Sequence, residues 1–437
     1  MMNERVRAKL IQLLGQEHVT ADGENLSKYF YDGMPNVPLL AVFPRDAGEI
    51  SQLVRIARDE SVPVFTRKDD KFSVPLPACG GVILDFSRMN AIERIDERNL
   101  TATLQRGVTW EQLLGFLEKR RLKTLMPAAS TSSYVLEDMV SRVIMRSAAR
   151  YPEVQVSNLQ VVLADGRIHL TGSHSLTEDG CDSKEDGGPN VSKWYIGAED
   201  IYGIPVRATI WLYPVPKSEV VLLFGFPDLQ PAMEALRNIP RKEPCDQALV
   251  MNGAYARQLV PDWPEHGWPW VFLAVCEGFP THTEYLSRTL RGEAAALGAT
   301  ELTEEKSAIA PALRRVWRRP RYSHGFYTFV RRVPEFHAEV ASRAPGPLAV
   351  LFVSHGFGRA AWCQFDHLEP HPADIGERFD AINLRLLAKG AFFDRPLGPL
   401  AGKFFAGNPA YVKQIKRIKT LVDPERILNP DQLITGV

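Results

Sequence analysis

Between Leu39 and Leu212 short β-rich runs alternate with amphipathic helical stretches, a rhythm that predicts an α+β or α/β layered structure. Asp46 and Glu49 form a capping-box pattern, and Ile50, Leu53, Val54 and Ala57 then share one face, so a helix is expected up to Asp59. A second helix begins at Thr109, with Gln112 three residues on and Leu113, Leu114 and Leu117 turned inward. GGVILDFSRMN, from Gly80 to Asn90, reads as a tight turn feeding a buried strand that ends in a polar cap. The segment from Thr171 to Asn190 is polar and Gly-rich and reads as an exposed, mobile loop. Pro214-Val215-Pro216-Lys217 is the best hinge. Beyond it, strands are expected at Val220 to Phe224, Trp270 to Cys276, Leu348 to Ser354 and Ala360 to His367. Helices are expected at Leu229 to Asn238, Thr281 to Leu297 and Pro372 to Lys389. That order suits an antiparallel sheet with helices on one side.

Length changes this picture first: 437 residues exceed one ordinary core, so two domains are expected. The hinge divides the chain into 1–216 and 217–404, with 405–437 returning to the first part through a helix from Pro409 to Val422 and the DPERILNP tail. With 52 basic and 52 acidic side chains, nothing draws the chain to nucleic acid or to an anionic membrane. The five cysteines lie far apart without a CxxC pair, which points away from a cluster, a zinc site or a disulfide framework. Val6, Leu10, Leu13 and Leu14 alternate with charges in an N-terminal amphipathic helix, unlike the apolar core of a signal peptide. No apolar run is long enough to span a membrane, so a cytoplasmic location is the expectation.

GGVILDFSRMN closely resembles the "GGVVLDLSRMN" signature of the FAD-linked oxidases typified by vanillyl-alcohol oxidase, p-cresol methylhydroxylase and the glycolate oxidase and D-lactate dehydrogenase flavoproteins. Further segments arrive in that family's order. Phe43 to Ile50 resembles "P-x-s-x-e-E-V", and Leu104 to Trp110 resembles "v-x-p-G-v-t". Asn158 to Arg167 resembles "v-l-g-l-e-V-V-L-a-d-G-e", and Trp194 to Ile204 resembles "l-f-i-G-s-e-G-t-l-G-I". Ile418 to Pro430 resembles the closing "i-K-x-x-l-D-P-x-g-i-l-N-P". The resemblance implies an α+β fold: a two-subdomain FAD-binding domain of the vanillyl-alcohol oxidase type, plus a cap domain with an antiparallel sheet covered by helices.

In that family the FAD pyrophosphate sits on two glycine-rich loops, because a bare backbone lets amides approach phosphate oxygens. The first, "R-G-G-G-T-S", corresponds to Arg67-Lys68-Asp69-Asp70-Lys71-Phe72-Ser73, where Arg67 and Ser73 match, Lys68 and Lys71 offer countercharge and the two aspartates oppose it. The second, "P-x-x-S-x-x-x-T-I-G-G", begins as Pro127-Ala128-Ala129-Ser130 and continues TSSYVLEDMVSR without glycine. Both loops therefore read either as a rebuilt phosphate site or as solvated turns. Gly107, Gly197, Gly203 and Ile204 match family positions near the cofactor, and Asn429 closes the C-terminal motif. No histidine lies between His18 and His169 to carry a covalent flavin, so FAD is expected to be noncovalent.

In the second part, His355 or His367 is a candidate base and Arg359 a candidate carboxylate clamp, a planar guanidinium being able to grip a carboxylate at two points. Alternation from Ala361 to His367 aims Cys363, Phe365 and His367 to one face. Each of these has a plain reading as a structural histidine or a surface arginine. His355, His367 and His371 match no established metal-ligand spacing, and the family's "H-x-x-G-D-G-N-x-H"-like metal motif is absent. The basic run Arg314 to Arg321 reads as a solvated helix end or an anion-recognition patch. Trp263, Trp268 and Trp270 read as packing a loop onto the sheet.

Two functions follow. The resemblance implies an FAD-dependent oxidoreductase that passes a hydride from an anionic or aromatic small molecule, a hydroxy acid or a hydroxylated aromatic, to flavin. An iron-sulfur or other electron-transfer protein is then the implied partner subunit. The alternative is an FAD-less pseudoenzyme subunit or binding module of an oxidoreductase complex.

Overall fold

The computed structural model describes the chain except for residues 1, 22–25, 27–28, 30–38, 67–79, 127–131, 142–154, 178–180, 183–187, 244, 265–266, 313–319, 321, 394–395, 397 and 435–437. Among the described residues the predicted helix starts form as expected. Asp46 accepts the Glu49 amide and starts a helix over Ala47–Asp59, whose buried face carries Ile50, Leu53, Val54 and Ala57. Thr109 and Gln112 form a complete capping box on the helix Trp110–Glu118.

A first sheet joins β1 (Val19–Thr20), β2 (Leu39–Val42), β3 (Val64–Thr66) and β4 (Gly81–Leu84) in the order β1-β2-β4-β3. The β2/β4 and β3/β4 pairs are parallel. The helices Met2–Leu14 and Ala47–Asp59 bury their apolar faces against it. All four residues of β4 are buried, and Asp85 caps the short helix that follows by accepting the Ser87 amide. The tail runs alongside β3: Val64 donates to the Ile427 carbonyl, and Asn429 donates to the Val64 carbonyl.

A second, antiparallel sheet has the order β5-β6-β10-β8-β9, comprising β5 (Ile92–Asp96), β6 (Thr101–Gln105), β8 (Val156–Val162), β9 (Ile168–Leu170) and β10 (Ile204–Trp211). The helices Trp110–Glu118 and Pro409–Val422 pack on its apolar side. A two-stranded piece of β7 (Leu122–Lys123) and β11 (Tyr213–Pro214) adjoins the hinge. There Lys123 pairs with Glu277 of the next sheet.

The third sheet is antiparallel, with the order β15-β12-β14-β13-β17-β18-β16: β12 (Ser218–Phe226), β13 (Gln247–Asn252), β14 (Trp270–Gly278), β15 (Thr300–Glu301), β16 (Ser323–Phe329), β17 (Leu348–His355) and β18 (Ala360–His367). Alternation sends Phe224, Phe272, Phe352, Cys363 and Phe365 to one side, against the helices Leu229–Lys242, Pro280–Ala296, Val333–Ala341 and Ile375–Ala388. The opposite side carries Leu223, Leu273, Met251, Leu351 and Trp362. It is not bare, as helices on one side alone would leave it: the short helices Gly253–Leu259 and Lys306–Ala312 cover part of it through Tyr255, Leu259 and Ile309. Trp263 is buried there too, and Trp268 lies over Gly225, so these tryptophans do pack a loop onto the sheet. Among the described residues no helix is long and apolar enough to cross a membrane.

Candidate functional site

The first two sheets and the tail meet at a small buried polar centre. Arg106 follows β6, Asp200 sits in the turn ahead of β10, Thr66 ends β3 and Asn429 lies in the tail. All four are nearly inaccessible to water. Arg106 Nη2 donates to Asp200 Oδ2 at 2.6 Å and Nη1 to Oδ1 at 3.1 Å, a forked pairing that guanidinium geometry favours. Nη1 also donates to the Pro205 carbonyl at 2.8 Å. The Thr66 hydroxyl donates to Asp200 Oδ2 at 2.7 Å, and the Thr66 amide donates to Asn429 Oδ1 at 2.9 Å. The guanidinium lies 4.5 Å from the centre of the Phe86 ring. Charges taken this far from water are tolerated only when paired and hydrogen-bonded, and these are.

Asp200 has φ +63° and Glu199 φ +51°, the left-handed region in which L residues are disfavoured and glycine is not. In the "G-s-e-G" pattern the residue at Asp200 is glycine, and in "v-x-p-G" the residue at Arg106 is proline. The turn therefore keeps a glycine-like backbone while carrying a carboxylate, and that carboxylate meets the arginine that stands in proline's place.

A second buried clamp lies beside this centre. Lys419 Nζ donates to the carbonyls of Ile201 and Leu428, at 2.7 and 2.6 Å, and to Asp423 Oδ2 at 2.6 Å. Asp423 in turn accepts the amides of Ile427 and Leu428. The tail is thereby tied to the turn that carries Asp200.

Where the segments of GGVILDFSRMN, Arg106-Gly107 and TSSYVLEDMVSR converge, Phe86, Arg106, Tyr134 and Glu137 line a crevice of about 10 Å³. Space of that size holds about one water, whereas cofactor pockets run to roughly 300–1,000 Å³. Glu137 opens a stretch of π-helix, Glu137–Ser141, and Asp138 accepts Trp110 Nε1 at 2.8 Å.

Of the residues expected at the cofactor, Arg67, Lys68, Ser73, Pro127 and Ser130 lie outside the described residues. Gly107 and Gly203 are packing glycines: a Cβ on the first would overlap the Phe86 carbonyl oxygen, and one on the second would press on Val161. Gly197 has φ +79° and donates its amide to the Val140 carbonyl. Ile204 is buried in the core under the first sheet, and Asn429 belongs to the polar centre. The basic run falls on 313–319 and 321, outside the described residues apart from Pro320.

The three expected catalytic side chains are not brought together. His355 pairs with Ala360 at one end of the β17–β18 hairpin, and His367 pairs with Leu348 at the other, about 24 Å away at strand rise. They also face opposite sides. His367 shares its face with Cys363 and Phe365, as the alternation predicts, but that face is closed by the helix Ile375–Ala388. There His367 Nε2 meets His324 Nε2 at 2.9 Å, and His324 Nδ1 meets Asn383 Oδ1 at 2.7 Å. Burial, with His371 second, pushes His367 down to about 4. His355 is half-buried, its ring 5.9 Å from that of Tyr327, and Arg359 is exposed in the turn. Tyr327 continues to Phe392 and then to Phe404 and Phe405, the last buried under the second sheet.

Arg106, Asp200 and Glu137 were not singled out by the sequence reading. Their signal was present: charged residues at places where the matched patterns have proline and glycine.

The three-sheet fold is similar to that of solved phenol-oxidising enzymes. Residues 38–172 match the FAD binding domain family. The chain is 28% identical over 250 residues to glycolate oxidase subunit GlcD of Bacillus subtilis, covering 55% of this chain and 51% of that protein. It is 24% identical over 440 residues to a probable mitochondrial D-lactate dehydrogenase of Danio rerio, covering 91% and 84%. Among solved structures, p-cresol methylhydroxylase with substrate bound superposes with a TM-score of 0.83 at 18% identity, over 99% of this chain and 97% of that one. A 4-ethylphenol oxidase from Gulosibacter chungangensis superposes at 0.81 and 17% identity, over 100% and 98%. The chain spans about half the length of some of the curated relatives it matches. The chain is similar to the FAD-linked oxidases and dehydrogenases, and FAD is the cofactor that the domain matched over residues 38–172 implies. The described walls of the crevice, as they stand, do not accommodate a flavin nucleotide.

Proposed function

We propose that this protein is an FAD-linked oxidoreductase that oxidises a hydroxy acid or a hydroxylated aromatic compound. Residues 1–216 and 405–437 form the FAD-binding part, and 217–404 the cap over the substrate. The observation that carries this reading is the breadth of the likeness. Over nearly the whole chain the fold is that of a p-cresol methylhydroxylase, and the alignment to a probable D-lactate dehydrogenase covers 91% of the chain. Arg67, Lys68, Ser73, Pro127 and Ser130 are the positions assigned to the cofactor loops.

Of the candidate side chains, His355 is favoured as the base that takes the substrate hydroxyl proton. Tyr327, beside it, begins the aromatic series that leads from the third sheet to the core under the second. Arg359, next to it in the same turn, is the clamp for a carboxylate at the rim. His367, paired with His324 under a helix, is assigned to packing. An electron-transfer protein is the partner class to which the reduced enzyme would pass its electrons.

The test is flavin uptake followed by anaerobic addition of glycolate, D-lactate, p-cresol or 4-ethylphenol. Bleaching of the bound flavin by one of these is the expected result, and His355→Asn should slow it at least about 100-fold. A flavin-loaded protein that none of them reduces would reject this substrate assignment.

A further inference from the structure

We infer that Arg106 and Asp200 form a plug in the cofactor cleft, so that FAD enters only when this pair is displaced. This rests on the reading of the chain as an FAD-linked oxidoreductase and adds how its cofactor site is controlled. Three observations carry it.

First, Arg106 reaches the crevice of about 10 Å³ between Phe86, Tyr134 and Glu137, in segments that match the family's motifs, and Asp200 holds it there from outside that lining. Arg106 is itself one wall of that space, stacked on Phe86 of the GGVILDFSRMN segment. Second, the pair is built to stay. Asp200 is held by Arg106 and Thr66 together, Arg106 is held by Asp200 and the Pro205 carbonyl, and both side chains are almost wholly buried. Third, the backbone of the turn is that of a glycine: Asp200 is kept at φ +63° and follows another left-handed residue. Small residues at these two places would keep the backbone path, including the bond from the Arg106 amide to the Val206 carbonyl, and remove both side chains from the cleft.

The consequence is a conformational equilibrium. When the binding-competent state is a small fraction of the molecules, the apparent affinity for a ligand falls by that fraction. Wild-type protein should therefore hold FAD weakly and exchangeably, and emptying the plug should strengthen binding. The plug acts through volume and is held by its hydrogen bonds, so an uncharged pair of similar size should gain less affinity than an emptied site.

The experiment measures FAD affinity of the full chain by quenching of flavin fluorescence and by retention of visible absorbance through gel filtration. It compares wild type with Arg106→Ala/Asp200→Gly, which empties the space, and with Arg106→Met/Asp200→Asn, which keeps its volume without charge. Arg106→Ser/Asp200→Ser is a second opened variant that keeps small hydrogen-bonding groups beside Thr66, in case the first does not fold. Circular dichroism and melting verify folding. The expected result is at least about tenfold tighter FAD binding by an opened variant, with the volume-conserving variant gaining clearly less. If wild type already binds FAD as tightly as the opened variants, or the volume-conserving pair gains as much as they do, the plug is overturned and the oxidoreductase reading stands. If none of the folded proteins takes up FAD, the oxidoreductase reading itself falls, and the plug with it.

Discussion

Replacing Lys419 by methionine should produce one of the largest stability losses available in this chain. The side chain is 1% exposed and Asp423 is fully buried, so neither charge has water to fall back on. Methionine keeps most of the volume of the aliphatic stem, which leaves cavity formation out of the cost. What is lost is the ammonium, with three short hydrogen bonds to Asp423, Ile201 and Leu428. Breaking one partner of a buried pair costs about 3–5 kcal/mol, because the other charge remains buried and uncompensated. Asp423 still accepts two backbone amides, which places the loss toward the lower end, about 3 kcal/mol. The double variant Lys419→Met/Asp423→Asn removes the stranded charge and should recover about 1–2 kcal/mol of that loss. Urea denaturation by circular dichroism gives the three values, and limited proteolysis should show the tail released first in Lys419→Met. A single-variant loss below about 1 kcal/mol, or a double variant that is simply additive, would refute the claim that this pair holds the tail to the Asp200 turn.

Three other perturbations follow from the same structure. His367 sits near 4 in the folded protein against an ordinary 6.5, and burial also lowers His337. The unfolded chain then binds more protons between about pH 6.5 and 4, so stability falls as pH drops through that window, by up to about 3 kcal/mol from His367. A melting temperature that stays flat from about pH 7 to 4.5 would contradict this. Gly107→Ala forces a Cβ into the Phe86 carbonyl and should cost about 3 kcal/mol, read as a lowered urea midpoint. Asp182→Ala removes a buried carboxylate that pairs with Arg94, His174 and Thr101, and protease should then cut between Thr171 and Asn190 faster than in wild type.

The elements with clear periodicity and caps were legible from the residues alone. The helix after Asp46, the capping box at Thr109 and the buried strand ending at Asp85 follow from short-range rules, which is why they form as predicted. β13 and β16 were passed over because Gln247–Asn252 and Ser323–Phe329 show no period-2 alternation of apolar and polar residues, and pairing with β14, β17 and β18 is what makes them strands. The loop from Thr171 to Asn190 reads as exposed from its composition. Yet Thr171 is fully buried, and Asp182 pins the segment to the second sheet. Composition reports average solvation and cannot show a single inward-turned carboxylate. His367 was placed on the right strand and with the right companions, but alternation names a face without saying what covers it. The polar centre was the hardest to see. Arg106 and Asp200 are 94 residues apart, and each looks like an ordinary departure from a motif until they are found bonded to one another.

Whether this chain takes FAD is the most direct test. Full-length wild-type protein should quench the fluorescence of added FAD saturably, and the opened Arg106/Asp200 variants, equilibrated with excess FAD and passed through gel filtration, should elute with a flavin spectrum that denaturation releases. Wild type that gives no saturable quenching together with opened variants that elute colourless would contradict it.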